Sequence, residues 1–262
     1  MKLTILGSGT VDPQPHRASS GYHLQTSVGG FFLDLGSGTL RRAVAAGVQP
    51  HAVEKLFLSH LHPDHTADIV PLLFARKYAP APWPQAGSLS IYGPQGTVDF
   101  LNAVFSAWPS IKPAEEAALR VIELPLEEQQ ILDEDSVSVG VVPVEHGDMN
   151  AFAYWVKDDE KLLVYSGDTR LCNGIKNAAW GADLFVCECS CFPRGCEPLH
   201  CREVHLSWED VAEICEQANP LAVILTHLYE PVLAATPNPL DSLKQRLEIP
   251  VYLAADGDVY EL

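Results

Sequence analysis

Three histidines and an aspartate stand within six residues, His60-Leu61-His62-Pro63-Asp64-His65, directly behind a short apolar run, Lys55–Ser59. Pro63 prevents a strand from continuing through the segment, so the chain must turn here and enter a helix from about Thr66. Three imidazoles and a carboxylate cannot all point into an apolar core, because burying polar groups unpaired costs on the order of several kcal/mol. The fold must give this loop either solvent or a cation. Imidazole combined with carboxylate suits Zn2+, and also Mn2+ or Fe.

One cluster leaves a metal under-ligated, and three later positions have the right form. His146 follows the apolar run Val139–Val144, Asp168 follows Leu162–Ser166 with Gly167 between, and His227 follows Ala222–Leu225. Ligands at strand ends gain a rigid frame, while the loops beyond them stay free to vary with substrate.

The remaining apolar segments are short, often β-branched, and bounded by Gly, Pro, Asp or Asn. They predict strands at 2–6, 21–26, 30–35, 56–58 and 89–92 in the first half. In the second half they predict strands at 136–144, 151–156, 162–166, 184–188, 222–225 and 251–254. Helical periodicity marks 39–46, 66–79, 96–108, 208–218 and 240–247. Ser207 and Asp210 stand in capping-box spacing ahead of the helix at 208. Hairpin-like pairs come early and strand–helix alternation runs throughout. This favours two sheets packed face to face with helices outside over a simple parallel sheet. The pattern contains no repeat or linker, so residues 1–262 are read as one domain whose core needs no disulfide staples. The proline-rich segment 78–85 reads as a surface loop, and the five tryptophans as packing residues.

Charge narrows the partners. With 34 acidic against 17 basic residues the chain carries −17 near neutral pH, a field that repels phosphate backbones. A large nucleic acid is disfavoured, and a small-molecule substrate preferred. No run reaches the roughly 18–20 apolar residues of a membrane span, and the N-terminus lacks signal-peptide form, so a cytoplasmic location is expected. Five of the seven cysteines fall between Cys187 and Cys201. Free thiols are the preferred reading of Cys189, Cys191, Cys196 and Cys201, with an extra zinc site including His200, or a redox-sensitive loop, as alternatives.

The segment Ser59–His65, the isolated His146, Ser166-Gly167-Asp168-Thr169 and Leu225-Thr226-His227 resemble, in order, the motifs of the metallo-β-lactamase superfamily. Gly7-Ser8-Gly9-Thr10 and Leu33-Asp34-Leu35-Gly36 resemble its first strands. The resemblance implies an α/β fold, the αββα four-layer sandwich. It also implies two divalent ions, one held by His60, His62 and His146, the other by Asp64, His65 and His227, with Asp168 bridging. A homodimer would be in keeping with it.

Cys187-Glu188-Cys189-Ser190 followed by His205-Leu206-Ser207 is similar to the Glu and His motifs of the ribonuclease Z-like branch, where the pair assists the leaving oxygen. Glu188 at a strand end can orient His205, and an imidazole so held can act as a general acid. The mechanism implied is attack by a metal-bridging hydroxide, with Asp64 accepting or orienting its proton. The long RNA-gripping arm of ribonuclease Z has no counterpart, since His146 and Asp168 are only 22 positions apart around an acidic tip, Lys157-Asp158-Asp159-Glu160. A small phosphodiester such as a cyclic nucleotide is therefore preferred, with Arg17 as a candidate phosphate contact. Hydrolysis of a carboxylic ester, lactone or sulfate ester, a ribonuclease Z-type tRNA endonuclease, and a non-catalytic metal-binding module are the alternatives.

Overall fold

The run Phe31-Phe32-Leu33 is apolar on both faces of an extended chain, so the strand that contains it has to be covered twice. Phe31 and Leu33 face one cluster of buried side chains, Phe32 another, and all three are at most 2% exposed. This double burial organises the protein. The computed structural model describes residues 1–78, 87–113, 115–195 and 201–262.

The first half of the chain builds a sheet from β1 (Lys2–Gly7), β2 (Gly21–Thr26), β3 (Gly29–Leu35), β4 (Lys55–Phe57), β5 (Leu89–Pro94) and β6 (Leu119–Leu124). The second half builds another from β7 (Gln129–Glu134), β8 (Val137–His146), β9 (Met149–Asp158), β10 (Lys161–Tyr165), β11 (Leu184–Glu188), β12 (Val223–Thr226) and β13 (Val251–Leu253). A last strand, β14 (Val259–Glu261), returns to pair with β1. Neighbours run β14-β1-β2-β3-β4-β5-β6 and β13-β12-β11-β10-β9-β8-β7. Each sheet is antiparallel along its hairpins and parallel from β3 to β6 and from β10 to β13.

Parallel neighbours need crossovers, and helices supply several of them. On the first sheet lie α1 (Thr39–Ala45), α2 (Pro63–Thr66), α3 (Ile69–Tyr78) and α4 (Thr97–Ala107). On the second lie α5 (Asn173–Ala178), α6 (Trp208–Ala218), α7 (Glu230–Leu233) and α8 (Pro239–Arg246). Ile5, Leu24 and Phe57 of one sheet meet Val141, Tyr154, Leu163 and Ile224 of the other in a shared core. Separate clusters bury α3 and α4 against the first sheet and α5 and α6 against the second. The layers are α, β, β, α, the sandwich that the sequence implies.

Several elements depart from the sequence expectations. β6, β7 and β14 were not foreseen. All three lie at sheet edges, where charged residues blunt the strand and dilute the apolar signal. The helix expected over 66–79 is broken: α2 already begins at Pro63, and α3 starts at Ile69. Trp155 and Trp208 pack against the second sheet's cluster, but Trp108 and Trp180 are 52% and 68% exposed and are not packing residues. Trp83 and the loop expected at 78–85 lie outside the described residues, apart from Tyr78. The Ser207–Asp210 capping box forms as the sequence predicts.

Candidate metal centre

β8 and β10 both run antiparallel to β9, and β10, β11 and β12 are mutually parallel. Their C-terminal ends therefore share one edge of the sheet. His146 is the last residue of β8, which runs two residues further than the sequence suggested. Asp168 follows β10, Glu188 ends β11, and His227 follows β12. The loop after β4 brings His60 and His62 to the same edge, with Asp64 and His65 on α2. It is tied across the sandwich: Phe152 N donates to Ser59 O at 2.9 Å and Tyr154 OH to Leu58 O at 2.8 Å. Gly167 permits this approach. It has φ 57°, and a Cβ there would lie 2.6 Å from Phe152 O and 2.9 Å from Ser59 Cβ.

The seven residues converge into two groups. In one, His62 Nδ1 lies 3.0 Å from His60 Nε2 and 3.2 Å from His146 Nε2. In the other, His227 Nε2 lies 3.4 Å from His65 Nε2 and 3.3 Å from Asp64 Oδ2. Asp168 Oδ2 stands between them, 3.8 Å from His60 Nε2 and 3.3 Å from both His65 and His227 Nε2.

Four of these imidazoles have their outward nitrogens held. His65 Nδ1 donates to Asp34 Oδ2 at 2.8 Å, and His146 Nδ1 to Val204 O at 2.8 Å. Ser190 Oγ donates to His227 O at 2.7 Å, so its lone pair is left to accept from His227 Nδ1, also at 2.7 Å. Ser59 Oγ donates to Asp34 Oδ2 at 2.6 Å and in the same way accepts from His60 Nδ1 at 3.0 Å. With Nδ1 as the outward donor, each ring turns Nε2 inward. Burial opposes protonation of His65, but Asp168 and Asp34 prevail and raise it well above the ordinary imidazole range, so a bound ion would take the place of its Nε2 proton. Burial and the neighbouring His65 push His60 well below the ordinary imidazole range, in keeping with a neutral ring. Burial alone would raise the Asp168 carboxyl, but His227 and His65 outweigh it and hold it well below the usual range.

Donor atoms packed at these distances need a proton or a metal cation between them. Tetrahedral zinc with ligand bonds of about 2.0–2.1 Å sets its donors roughly 3.3–3.4 Å apart, within the 3.0 to 3.8 Å found here. Asp168 Oδ1 is buried and has no hydrogen-bond partner, as suits the second oxygen of a bridging carboxylate. The residues fit two divalent ions.

A cavity of about 400 Å3 opens onto the cluster, lined by Val11, Asp148, Met149, His205 and Tyr229 among others. His205 Nδ1 donates to Glu188 Oε1 at 3.0 Å. Burial opposes protonation of His205, but the Glu188 carboxylate prevails and raises it to about 9. Glu188 is fixed in turn by Thr169 N at 2.7 Å and Ser190 N at 3.3 Å.

Two expectations are revised here. Arg17 turns inward, donating to Ser8 Oγ and Ala254 O, both at 2.6 Å, which occupies one of its terminal nitrogens with protein partners. Cys189 is free as expected and so is Cys187, but Cys191 and Cys201 pair as a disulfide with Cα atoms 5.8 Å apart. The loop folds back so that Cys191 N donates to Leu206 O at 2.9 Å, which sequence spacing does not reveal. Cys196 and His200 lie outside the described residues. Asp34 and Ser190, which hold two of the imidazoles, were missed as positioning residues. The signal for Asp34 was a lone charge inside the apolar strand Gly29–Leu35.

Two histidine–aspartate groups sharing one carboxylate, at the open edge of an αββα sandwich, define a metal-dependent hydrolase of the metallo-β-lactamase fold. The chain belongs to the β-lactamase superfamily, in its ribonuclease Z-like branch: the family described as Beta-lactamase superfamily domain matches residues 28–228. The protein named Ribonuclease Z from Mycobacterium bovis (strain BCG / Pasteur 1173P2) is 30% identical over 198 residues, covering 71% of this chain and 69% of that protein. The metallo-beta-lactamase fold protein YhfI from Bacillus subtilis matches with a TM-score of 0.81 and 23% identity, over 99% of both chains. Unliganded yeast PDE1 matches with a TM-score of 0.77 and 17% identity, over 100% of this chain and 99% of that one. At such identities these two structures speak for the fold.

Proposed function

We propose that this chain is a phosphodiesterase acting on a small phosphodiester, such as a cyclic nucleotide, with residues 1–262 working as one hydrolase domain. The carrying observation is the shared Asp168, which links two donor groups beneath one cavity. His60, His62 and His146 would hold one ion, Asp64, His65 and His227 the other, and Asp168 both; zinc is the first choice for these N and O donors. When bound, such a pair polarises the phosphoryl oxygens and makes water nucleophilic near neutral pH.

The chain's own groups supply the rest. Asp64, at the cavity wall, accepts or orients the proton of the attacking water. His205, its Nδ1 fixed by Glu188, turns Nε2 toward the cavity and gives a proton to the departing alkoxide. Val11, Met149 and Tyr229 shield that transfer from bulk water.

A tRNA substrate is the second reading, favoured by the name of the Mycobacterium relative. Against it stand the net charge of −17 and the direct turn from β9 into β10 through Asp159-Glu160. The deciding experiment is turnover of the metal-loaded protein on bis(p-nitrophenyl) phosphate, beside a p-nitrophenyl carboxylic ester and a lactone. Preference for the phosphodiester supports the reading. Preference for the ester or lactone overturns the substrate class and keeps the metals.

A further inference from the structure

Three of the 17 basic residues, Arg17, Arg41 and Arg42, line a second cavity of about 810 Å3. Arg17 forms its floor, tied to Ser8 and Ala254 as described. Arg42 approaches Asp256 Oδ2 through Nε at 3.3 Å and is 43% exposed, so its two terminal nitrogens carry no hydrogen bond among the described residues. Arg41 is exposed and has no hydrogen bond or ion pair among the described residues. Asp256 behind them is 2% exposed and already accepts from Ser8 N at 3.0 Å and Ala18 N at 2.7 Å. In so acidic a chain, Arg41 thus faces the cavity without a counter-charge among the described residues, and Arg42 keeps its two terminal nitrogens open beside its partner Asp256.

This cavity adjoins the site. It shares Val11, Pro63 and Asp64 with the cavity over the histidine–aspartate cluster. A molecule seated over the cluster reaches the arginines by passing Pro63 and Asp64. Asp64, itself a candidate ligand, is the only acidic residue among those lining the arginine side.

We infer that the arginine cavity takes a second phosphate. The substrate is then a small phosphodiester that also bears a phosphomonoester, its diester over the cluster and its monoester against Arg41 and Arg42. The inference rests on the phosphodiesterase reading and deepens it. A phosphomonoester carries about −1.5 to −2 charge near neutral pH, and the forked N–H groups of arginine match its oxygens. Such a contact draws an anion into a protein whose net field repels it.

Two chromogenic esters test this, thymidine 5′-(p-nitrophenyl phosphate) and thymidine 3′-phosphate 5′-(p-nitrophenyl phosphate). They share the scissile bond and the leaving group, and differ by the second phosphate. The metal-loaded protein should favour the second by about tenfold in kcat/KM, chiefly through KM, as charge-assisted hydrogen bonds would give. Arg41→Ala removes no hydrogen bond or ion pair among the described residues, and should bring the ratio close to one; Arg41→Lys should retain part of it. A ratio near one in the unaltered protein, or one unchanged by Arg41→Ala, overturns the inference. If neither ester is hydrolysed, the phosphodiesterase reading itself fails. Calorimetric titration with thymidine 3′,5′-bisphosphate then decides the arginine site alone. Binding weakened about tenfold by Arg41→Ala supports it, and equal binding overturns it.

Discussion

His65 Nδ1 lies 2.8 Å from Asp34 Oδ2, and neither side chain is exposed to solvent. The same carboxylate accepts from Ser59 N at 2.7 Å, Ser59 Oγ at 2.6 Å and Tyr165 OH at 2.6 Å. One buried aspartate therefore fixes His65 directly and His60 through Ser59, one imidazole in each donor group. Its backbone is left-handed, φ 55°, which aspartate and asparagine tolerate better than other side chains.

Asp34→Asn should keep that backbone and volume while turning one acceptor into a donor that faces the hydroxyls of Ser59 and Tyr165. The expected result is a metal affinity lower by about 10–100-fold, measured by chelator competition. An affinity equal to that of the unaltered protein would mean that Asp34 does not position the histidine.

The contrast between Asp34 and His60 explains what a sequence of this kind reveals. His60-Leu61-His62-Pro63-Asp64-His65 is dense in ligand chemistry, and the later ligands sit at the ends of apolar strands, so both were legible. Asp34, Ser190 and the Val204 carbonyl act through contacts between residues 31 to 58 positions apart. Local patterning carries no trace of such pairings. The same physics explains the fold: strands covered on both faces announce themselves, whereas β6, β7 and β14 trade apolar residues for charge at the sheet edges. The Cys191–Cys201 pairing depends on a loop folding back, which no spacing rule anticipates.

Asp168→Ala removes the donor common to both groups, and His62→Ala one donor of the first. Each should lower metal content below two ions per chain, read by elemental analysis. Each should also lower phosphodiester turnover by about 100-fold or more, the scale at which removing one electrostatic donor is felt. Full activity with one ion cleanly lost would sink the two-metal arrangement.

His205→Ala should retain both ions, because the seven residues joined by Asp168 supply the donors of both groups without it. Turnover should fall by about 10²–10⁴-fold for alkoxide leaving groups and far less for p-nitrophenolate, which departs without a proton. Loss of metal instead would make His205 a ligand. Glu188→Gln tests the same pair through pH. The His205 acid, raised to about 9, is present below that pH and lost above it. Without the Glu188 charge the alkaline fall in kcat should begin at lower pH.

Asp210 anchors the helix that follows His205. Its Oδ2 accepts from Ser207 N at 2.9 Å and Ser207 Oγ at 2.7 Å, and its Oδ1 from Arg194 at 2.5 Å. Burial alone would raise this carboxyl, yet the bonds from Ser207 and Arg194 prevail and lower it. A group held below its unfolded value stabilises the fold above that value and loses its contribution as pH falls through the folded one. Asp210→Asn should therefore cost about 1–2 kcal/mol near neutral pH. A chain of this size loses roughly 2–4 °C of melting temperature per kcal/mol. The gap between variant and parent should narrow steadily below about pH 4, where the unfolded carboxyl protonates. Thermal melts at neutral and acidic pH decide the matter. A gap that stays constant with pH would show that the Asp210 charge adds nothing beyond its shape.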